Sequence, residues 1–219
     1  MIRIDKDCRW IVINVFLGAA VVVFLLFHFV KNTWITLPLS ALAIWFALFI
    51  LYFFRIPERK SVGSDKDVCS VADGQIVIIG KVFEGEYLKR EAIQISVFMN
   101  FFDMHANYWP VDGEITYYKY HPGKHWLAFK PKASEENEHT STAIKTPSGQ
   151  EVFFKQLAGT FARRIVNYAK VGDKVKAGEQ CGIIKFGSRI DMYLPLDAEL
   201  EVKLKDVTRA CETLIARLR

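Results

Sequence analysis

Two long stretches of the chain contain no Asp, Glu, Lys or Arg: residues 11–30, IVINVFLGAAVVVFLLFHFV, and residues 34–54, WITLPLSALAIWFALFILYFF. Each is close to the ~20 residues that carry a helix across ~30 Å of hydrocarbon, so two transmembrane helices are predicted. Neither has the polar face of a soluble helix, which argues against a pair of buried core helices. A secretory signal peptide has one shorter apolar core and a small-residue cleavage site, whereas here a second full span follows three residues after the first. The expectation is a retained hairpin, with a shallow re-entrant hairpin as the alternative. Cysteine is equally sparse in pattern. Cys8, Cys69, Cys181 and Cys211 form no CxxC pair for zinc or redox work, and reduced thiols in a cytosolic setting follow.

Surplus charge is also missing from the larger part of the chain. Of the net +5, residues 1–60 carry +4 (seven basic against three acidic), and residues 61–219 only +1 (22 against 21). A nucleic-acid footprint needs a basic stripe on the soluble part, so no nucleic-acid partner is expected. The basic excess suits anionic head groups at a membrane. Arg3, Lys6 and Arg9 precede the first span and Arg55, Arg59 and Lys60 follow the second, against Lys31 alone in the connection. That asymmetry places both ends, and with them the soluble domain, on the cytoplasmic side of the cell (inner) membrane.

Residues 1–60 thus read as anchor and linker start, and 61–219 as one catalytic domain. RIPERKSVGSDKD, with Pro57 and Gly63, is the linker. Beyond it, short runs rich in Val, Ile, Phe and Tyr alternate with turn residues: GQIVIIGKVF, AIQISVFMNFF, EITYYKYHPG, EVFFKQLAG, ARRIVNYAKVG, CGIIKFG, IDMYLP and ELEVKL. These indicate a mainly β domain with few helices. The terminal LKDVTRACETLIARLR has a mixed pattern that could hold one short helix. VGDKVKAGEQCGIIKFG, with Gly172, Gly178 and Gly182 at its turns, resembles the hammerhead turn of lipoyl and biotinyl carriers. The fold class is therefore a barrel-sandwich-hybrid-like domain behind a two-helix transmembrane hairpin.

Phe186 to Pro195, FGSRIDMYLP, says most about chemistry. A peptide bond between Gly and Ser is open to attack by the serine's own hydroxyl, since glycine adds no Cβ and tolerates strained angles. Alone, Gly187-Ser188 is a common turn. With the preceding VGDKVKAGEQCGIIKFGSR it resembles the processing site of phosphatidylserine decarboxylases, in particular their short, membrane-associated branch. The resemblance implies self-cleavage between Gly187 and Ser188, leaving residues 1–187 as a β chain and 188–219 as an α chain that stays bound. It also implies that Ser188 becomes a covalent pyruvoyl cofactor, which forms a Schiff base with the serine amine of phosphatidylserine and accepts electrons as carbon dioxide leaves. The product would be phosphatidylethanolamine; an archaeal ether lipid, archaetidylserine, is the alternative substrate, and homo-oligomerisation is left open.

The same resemblance assigns further residues. Asp73-Gly74 in VADGQIV, otherwise a plain turn, matches the family's aspartate-glycine pair that assists processing. Asp103 and His105 in FFDMHANYWP sit two apart, so on a strand they would face one side. The family's D-x-H supplies the histidine needed for decarboxylation, which makes His105 the expected proton donor. Long-chain members carry a second, triad histidine three residues later, where this chain has Tyr108. The base for self-cleavage is thus left between Asp73, Tyr108, backbone and some other residue. For substrate binding, Tyr108, Lys124 and His125 in HPGKHW are candidates, together with Arg189, whose planar fork suits a phosphate. The acidic ASEENE run reads as a solvated loop or a helix start after Ser134.

Two other readings lack their signatures. A membrane-tethered carrier or adaptor would explain the hammerhead-like turn, but the modified-lysine tripeptide of carriers is missing. A lysostaphin-type zinc peptidase needs an H-x-H pair, also missing, and the five histidines suggest no metal set.

Overall fold

The computed structural model describes residues 3–61, 64, 66–127, 133–159, 164–185 and 188–219. The chain divides into two compact units, Met1–Glu58 and Arg59–Arg219.

The first unit holds β1 (Arg3–Ile4), α1 (Arg9–Phe29), α2 (Thr33–Phe53) and β2 (Arg55–Ile56), with β1 and β2 paired antiparallel to close the open end of the hairpin. Each helix has 21 residues, about 31 Å at 1.5 Å per residue, which matches the hydrocarbon thickness. The tight connection is made by Asn32, whose side chain accepts the Trp34 N–H at 3.0 Å, and by Thr36, whose hydroxyl donates to the Val30 carbonyl at 3.0 Å. Only 6% of the apolar window of α1 and 22% of that of α2 are buried, so Leu17, Phe24, Phe27, Leu42 and Trp45 point outward. Core helices of a soluble protein would be mostly covered. Trp10 and Tyr52 at one end of the hairpin and Trp34 at the other lie where interfacial aromatics belong, and Tyr52 stacks under the Arg55 guanidinium at 3.5 Å. The helices are long and apolar enough to cross a membrane, and membrane association follows.

The second unit is mainly β. In chain order it contains β3 (Asp67–Cys69), β4 (Gly74–Glu84), β5 (Arg90–Met99), β6 (Ala106–Tyr108), β7 (Gly113–His121), α3 (Ala133–Glu136), β8 (His139–Lys145), β9 (Glu151–Ala158), β10 (Arg164–Asn167), β11 (Lys174–Val175), β12 (Gln180–Lys185), β13 (Ser188–Leu194), β14 (Glu199–Leu200), β15 (Val207–Thr208) and β16 (Leu214–Arg217). An eight-stranded antiparallel sheet runs β11-β7-β8-β9-β13-β5-β4-β15, and two three-stranded sheets, β10-β12-β6 and β14-β16-β3, complete the unit. The curled large sheet buries one face in the core: Ile93, Ile95, Val97 and Met99 of β5 alternate inward with Ile190, Met192 and Leu194 of β13 and with Val152 and Phe154 of β9. The other face of β13 is buried too, through Arg189, Asp191 and Tyr193, as befits a central strand.

Among the glycines demanded by contact are Gly74 and Gly182. A Cβ on Gly74 would stand 2.2 Å from the Phe98 carbonyl oxygen, and one on Gly182 would stand 2.1 Å from that of Val166. Both mark places where strands approach too closely for a side chain. The C-terminal segment is not helical. Lys205 and Cys211 take positive φ, 74° and 67°, at two corners, and the β-branched residues between and after them enter β15 and β16.

Candidate active site

Ser188 opens β13 and is fully buried, paired with Met99 of β5 on one side and Ala158 of β9 on the other. Its hydroxyl points at the Met99 sulfur, Oγ to Sδ 3.8 Å, and the amide nitrogen of Asn107 approaches the same sulfur at 3.8 Å. Gly187, the predicted cleavage partner, lies outside the described residues.

Register brings the other predicted residues to this end of the sheet. Gln75 pairs with Phe98, which pairs with Arg189, so Asp73-Gly74 enters β4 one step from the row of Met99 and Ser188. The turn that follows Met99 carries Asp103 and His105. These two are not on a strand, and the shared-face expectation does not hold: Asn100–Asp103 closes a turn in which the Asp103 carboxylate accepts the Asn100 N–H at 2.8 Å. His105 is fully buried, its Nδ1 2.9 Å from the Asp103 main-chain oxygen. A carbonyl can only accept, so Nδ1 carries a proton and turns Nε2 to the other side of the ring.

Asp73 is clamped. Arg59 donates to both of its oxygens, Nη2 to Oδ2 at 2.7 Å, and the Ala210 N–H donates to Oδ1 at 2.8 Å. Burial alone would pull the Arg59 guanidinium down, but Asp73 outweighs it and holds the cation above its usual value. Tyr108 lies next to this pair, its N–H bonded to the Val71 carbonyl and its hydroxyl 3.8 Å from Met104 Sδ. Burial, reinforced by the Asp73 carboxylate against Arg59, pushes the Tyr108 phenol well up. A neutral phenol at physiological pH is a donor, not a base.

Arg189 is enclosed on the opposite face of β13. Its Nε is 2.8 Å and its Nη2 2.9 Å from the Asp191 carboxylate, and Nη2 also donates to Ser134 of α3, whose hydroxyl bonds Asp191 at 2.8 Å. The pairing commits the guanidinium within the domain. Lys124 is exposed and pairs with Glu136 at 3.2 Å, and His125 Nε2 lies 3.7 Å from Glu138. Their loop is tied to the site by Asn137, which bonds the Trp126 backbone both ways and donates to the Ala158 carbonyl at 2.7 Å.

Several of these residues were not anticipated. Arg59 counted only as a membrane flank, yet it orients Asp73. Asn107 accepts from Gln156 at 2.8 Å, and Gln156 in turn accepts from Thr140 and Asn167, a buried polar chain running inward from Met99. Asn107 follows the D-x-H by two residues, a signal that was available; the partners of Gln156 are distant in sequence. Glu86, His121 and His139 bring ligand atoms within 4.8 Å of one another, a grouping the histidine spacing did not suggest. Lys155, 3.0 Å from Glu86, already supplies the cation there. Although burial opposes it, Lys155, His121 and Ser141 together hold the Glu86 carboxyl down at about 2. A cavity of about 750 Å³ between Gly113, Lys145 and Lys174 lies at the other end of the sheet and shares no residue with the Ser188 group.

A buried serine at the head of a central strand, with Asp73-Gly74 entering β4 at the same sheet end, is an arrangement open to enzyme chemistry in a mainly β unit, and the same chain carries an apolar helical hairpin. Comparison with known proteins narrows this. Residues 46–216 match the family model for phosphatidylserine decarboxylase. Among similar chains, the phosphatidylserine decarboxylase proenzyme of Amoebophilus asiaticus is 42% identical over 100% of this chain and 97% of its own. That of Porphyromonas gingivalis is 42% identical over 88% of each, and that of Parabacteroides distasonis 37% identical over 99% of each. The chain belongs to the phosphatidylserine decarboxylase family, which are carboxy-lyases.

Proposed function

We propose that this chain cuts itself between Gly187 and Ser188, converts Ser188 to a pyruvoyl group, and then decarboxylates phosphatidylserine to phosphatidylethanolamine at the cytoplasmic face of the inner membrane. The observation that carries the reading is the register that brings Asp73-Gly74, Met99 and Ser188 to one sheet end, with His105 in the turn that follows Met99. In maturation the Ser188 hydroxyl attacks the Gly187 carbonyl, and the Ser188 nitrogen leaves it, giving an ester. Elimination then breaks the Cβ–O bond, frees the Gly187 carboxylate and leaves dehydroalanine; water replaces its nitrogen, which departs as ammonia.

The surroundings fit a ketone. Ser188 is buried, and Asn107 aims an amide N–H at the sulfur that the hydroxyl now contacts. When present, a pyruvoyl group supplies the electron sink for loss of the carboxylate. The protein's part is to orient and to move protons. Arg59 fixes the Asp73 carboxylate where the chain enters β4. The Nδ1–H of His105 is spent on the Asp103 carbonyl, so Nε2, once protonated, is the nitrogen that gives a proton to the substrate carbon after its carboxylate has left as carbon dioxide. Cleavage need not release the short chain, because β13 is hydrogen-bonded along its length to β5 and β9, while β15 and β16 pair with β4 and β3.

Mass spectrometry of purified protein tests this. Two chains, 1–187 and 188–219, are expected, the shorter lacking an amine and carrying a ketone at its first residue. Ser188→Ala should remain one uncut, inactive chain. Intact, unmodified Ser188 in active protein would defeat the mechanism.

A further inference from the structure

We propose that the Ser188 end of the β unit carries its own bilayer-docking surface, made by Phe101 and Phe102 on one loop and Trp126 and Leu127 on another. The inference rests on a lipid being the substrate. Both loops flank the strands that pair with Ser188. Phe101 and Phe102 come two and three residues after Met99, the last residue of β5. Trp126 is held by Asn137, which also bonds Ala158 of β9.

Each loop is built to present apolar surface. In the first, Asn100 Oδ1 accepts the Phe102 N–H at 2.8 Å while Asp103 accepts the Asn100 N–H, so backbone groups of the tip are satisfied locally. The two adjacent phenylalanine side chains stand 39% and 68% exposed. In the second, Trp126 and Leu127 are 49% and 42% exposed. The Trp126 indole N–H is anchored on Glu136 at 2.9 Å, and Lys124, bound to the same carboxylate, stands 5.7 Å over the ring. An aromatic body with its polar edge tethered beside a lysine is the chemistry of the interfacial layer, where ring and ammonium meet head groups.

A bilayer is the occupant because one is always within reach: the same chain carries two 21-residue apolar helices joined to the β unit by the short polar run RIPERKSVGSDKD. Docking would bring the head group to Ser188 without drawing the whole lipid into water.

All four native cysteines are buried, which allows selective spin labelling of the full chain in lipid nanodiscs containing anionic lipid. A label at Phe102→Cys should be accessible to oxygen and shielded from a water-soluble nickel chelate. The control Phe83→Cys, at the far end of β4 beside Glu91, should show the reverse. A Phe102 label open to the chelate overturns the proposal, and so does one shielded from both reagents, which would mean packing against a second copy. Phe102→Asp should lower the ratio of rates on vesicle lipid to rates on monomeric short-chain lipid about tenfold, the scale of one phenylalanine moved from an apolar layer into water. An unchanged ratio counts against docking. Wild-type protein that fails to decarboxylate phosphatidylserine would overturn the proposed function but leave the depth measurement standing.

Discussion

Arg59→Met removes the cation that holds Asp73. The pair is well enclosed, with side chains 10% and 14% exposed, and the arginine grips both carboxylate oxygens. Breaking a buried pair from one side costs about 3–5 kcal/mol, because the surviving charge is left without its partner. Here the Ala210 N–H stays on Asp73 Oδ1 and some solvent reaches the site, which moves the expected loss to about 2–4 kcal/mol. Asp73→Asn should be similarly damaging, since it strands Arg59.

The discriminating measurement is the double-mutant cycle. If the two side chains act chiefly through each other, Arg59→Met/Asp73→Asn should be no worse than either single change, with a coupling of about 2–3 kcal/mol in detergent-solubilised protein. Self-cleavage, followed on gels after cell-free synthesis into nanodiscs, should slow in both single variants. Arg59→Lys should recover less than full speed, because one ammonium cannot reproduce the bidentate grip. Additive destabilisation, or wild-type processing by Arg59→Met, would refute the view that Arg59 positions Asp73.

His105→Ala should still be cut but lose turnover by about 10²-fold or more, the usual contribution of a positioned proton donor, as read by phosphatidylethanolamine release. Arg189→Met leaves Asp191 buried with, among the described residues, the Ser134 hydroxyl as its side-chain partner and should destabilise the domain by about 3–5 kcal/mol, measured by thermal unfolding; an unchanged melting temperature would show the pair to be inert. Glu86 governs acid behaviour. Its folded value, about 2, is below the unbound 4.5, so its stabilisation is complete above pH 4.5 and drains as pH falls toward 2. Glu86→Gln should flatten the melting temperature over that window and lower it at pH 7, and a variant with the native acid slope would contradict the assignment.

What could be read in advance follows from how far apart the cooperating residues lie. The apolar runs announced both helices within two residues, because a bilayer imposes length and forbids charge locally; the ends at Phe29 and Thr33 depend on a turn built by Asn32 and Thr36. The Asp103-x-His105 pair was legible as a motif and misread as geometry, since alternation applies only on a strand and Asn100 had already closed a turn. The C-terminal segment misled for the opposite reason: its mixed pattern left room for a short helix, whereas the chain turns at positive-φ corners, Lys205 and Cys211, and pairs as β15 and β16. Asp191 stood two residues from Arg189 on a strand and so on its face, a period-2 inference open from the start that would have shown the arginine to be committed. Arg59 with Asp73, and Asn107 with Gln156, offered no such hint. These partners are 14 and 49 residues apart and meet only because the sheet returns to the same end, so the residues that orient the chemistry become visible only with the register.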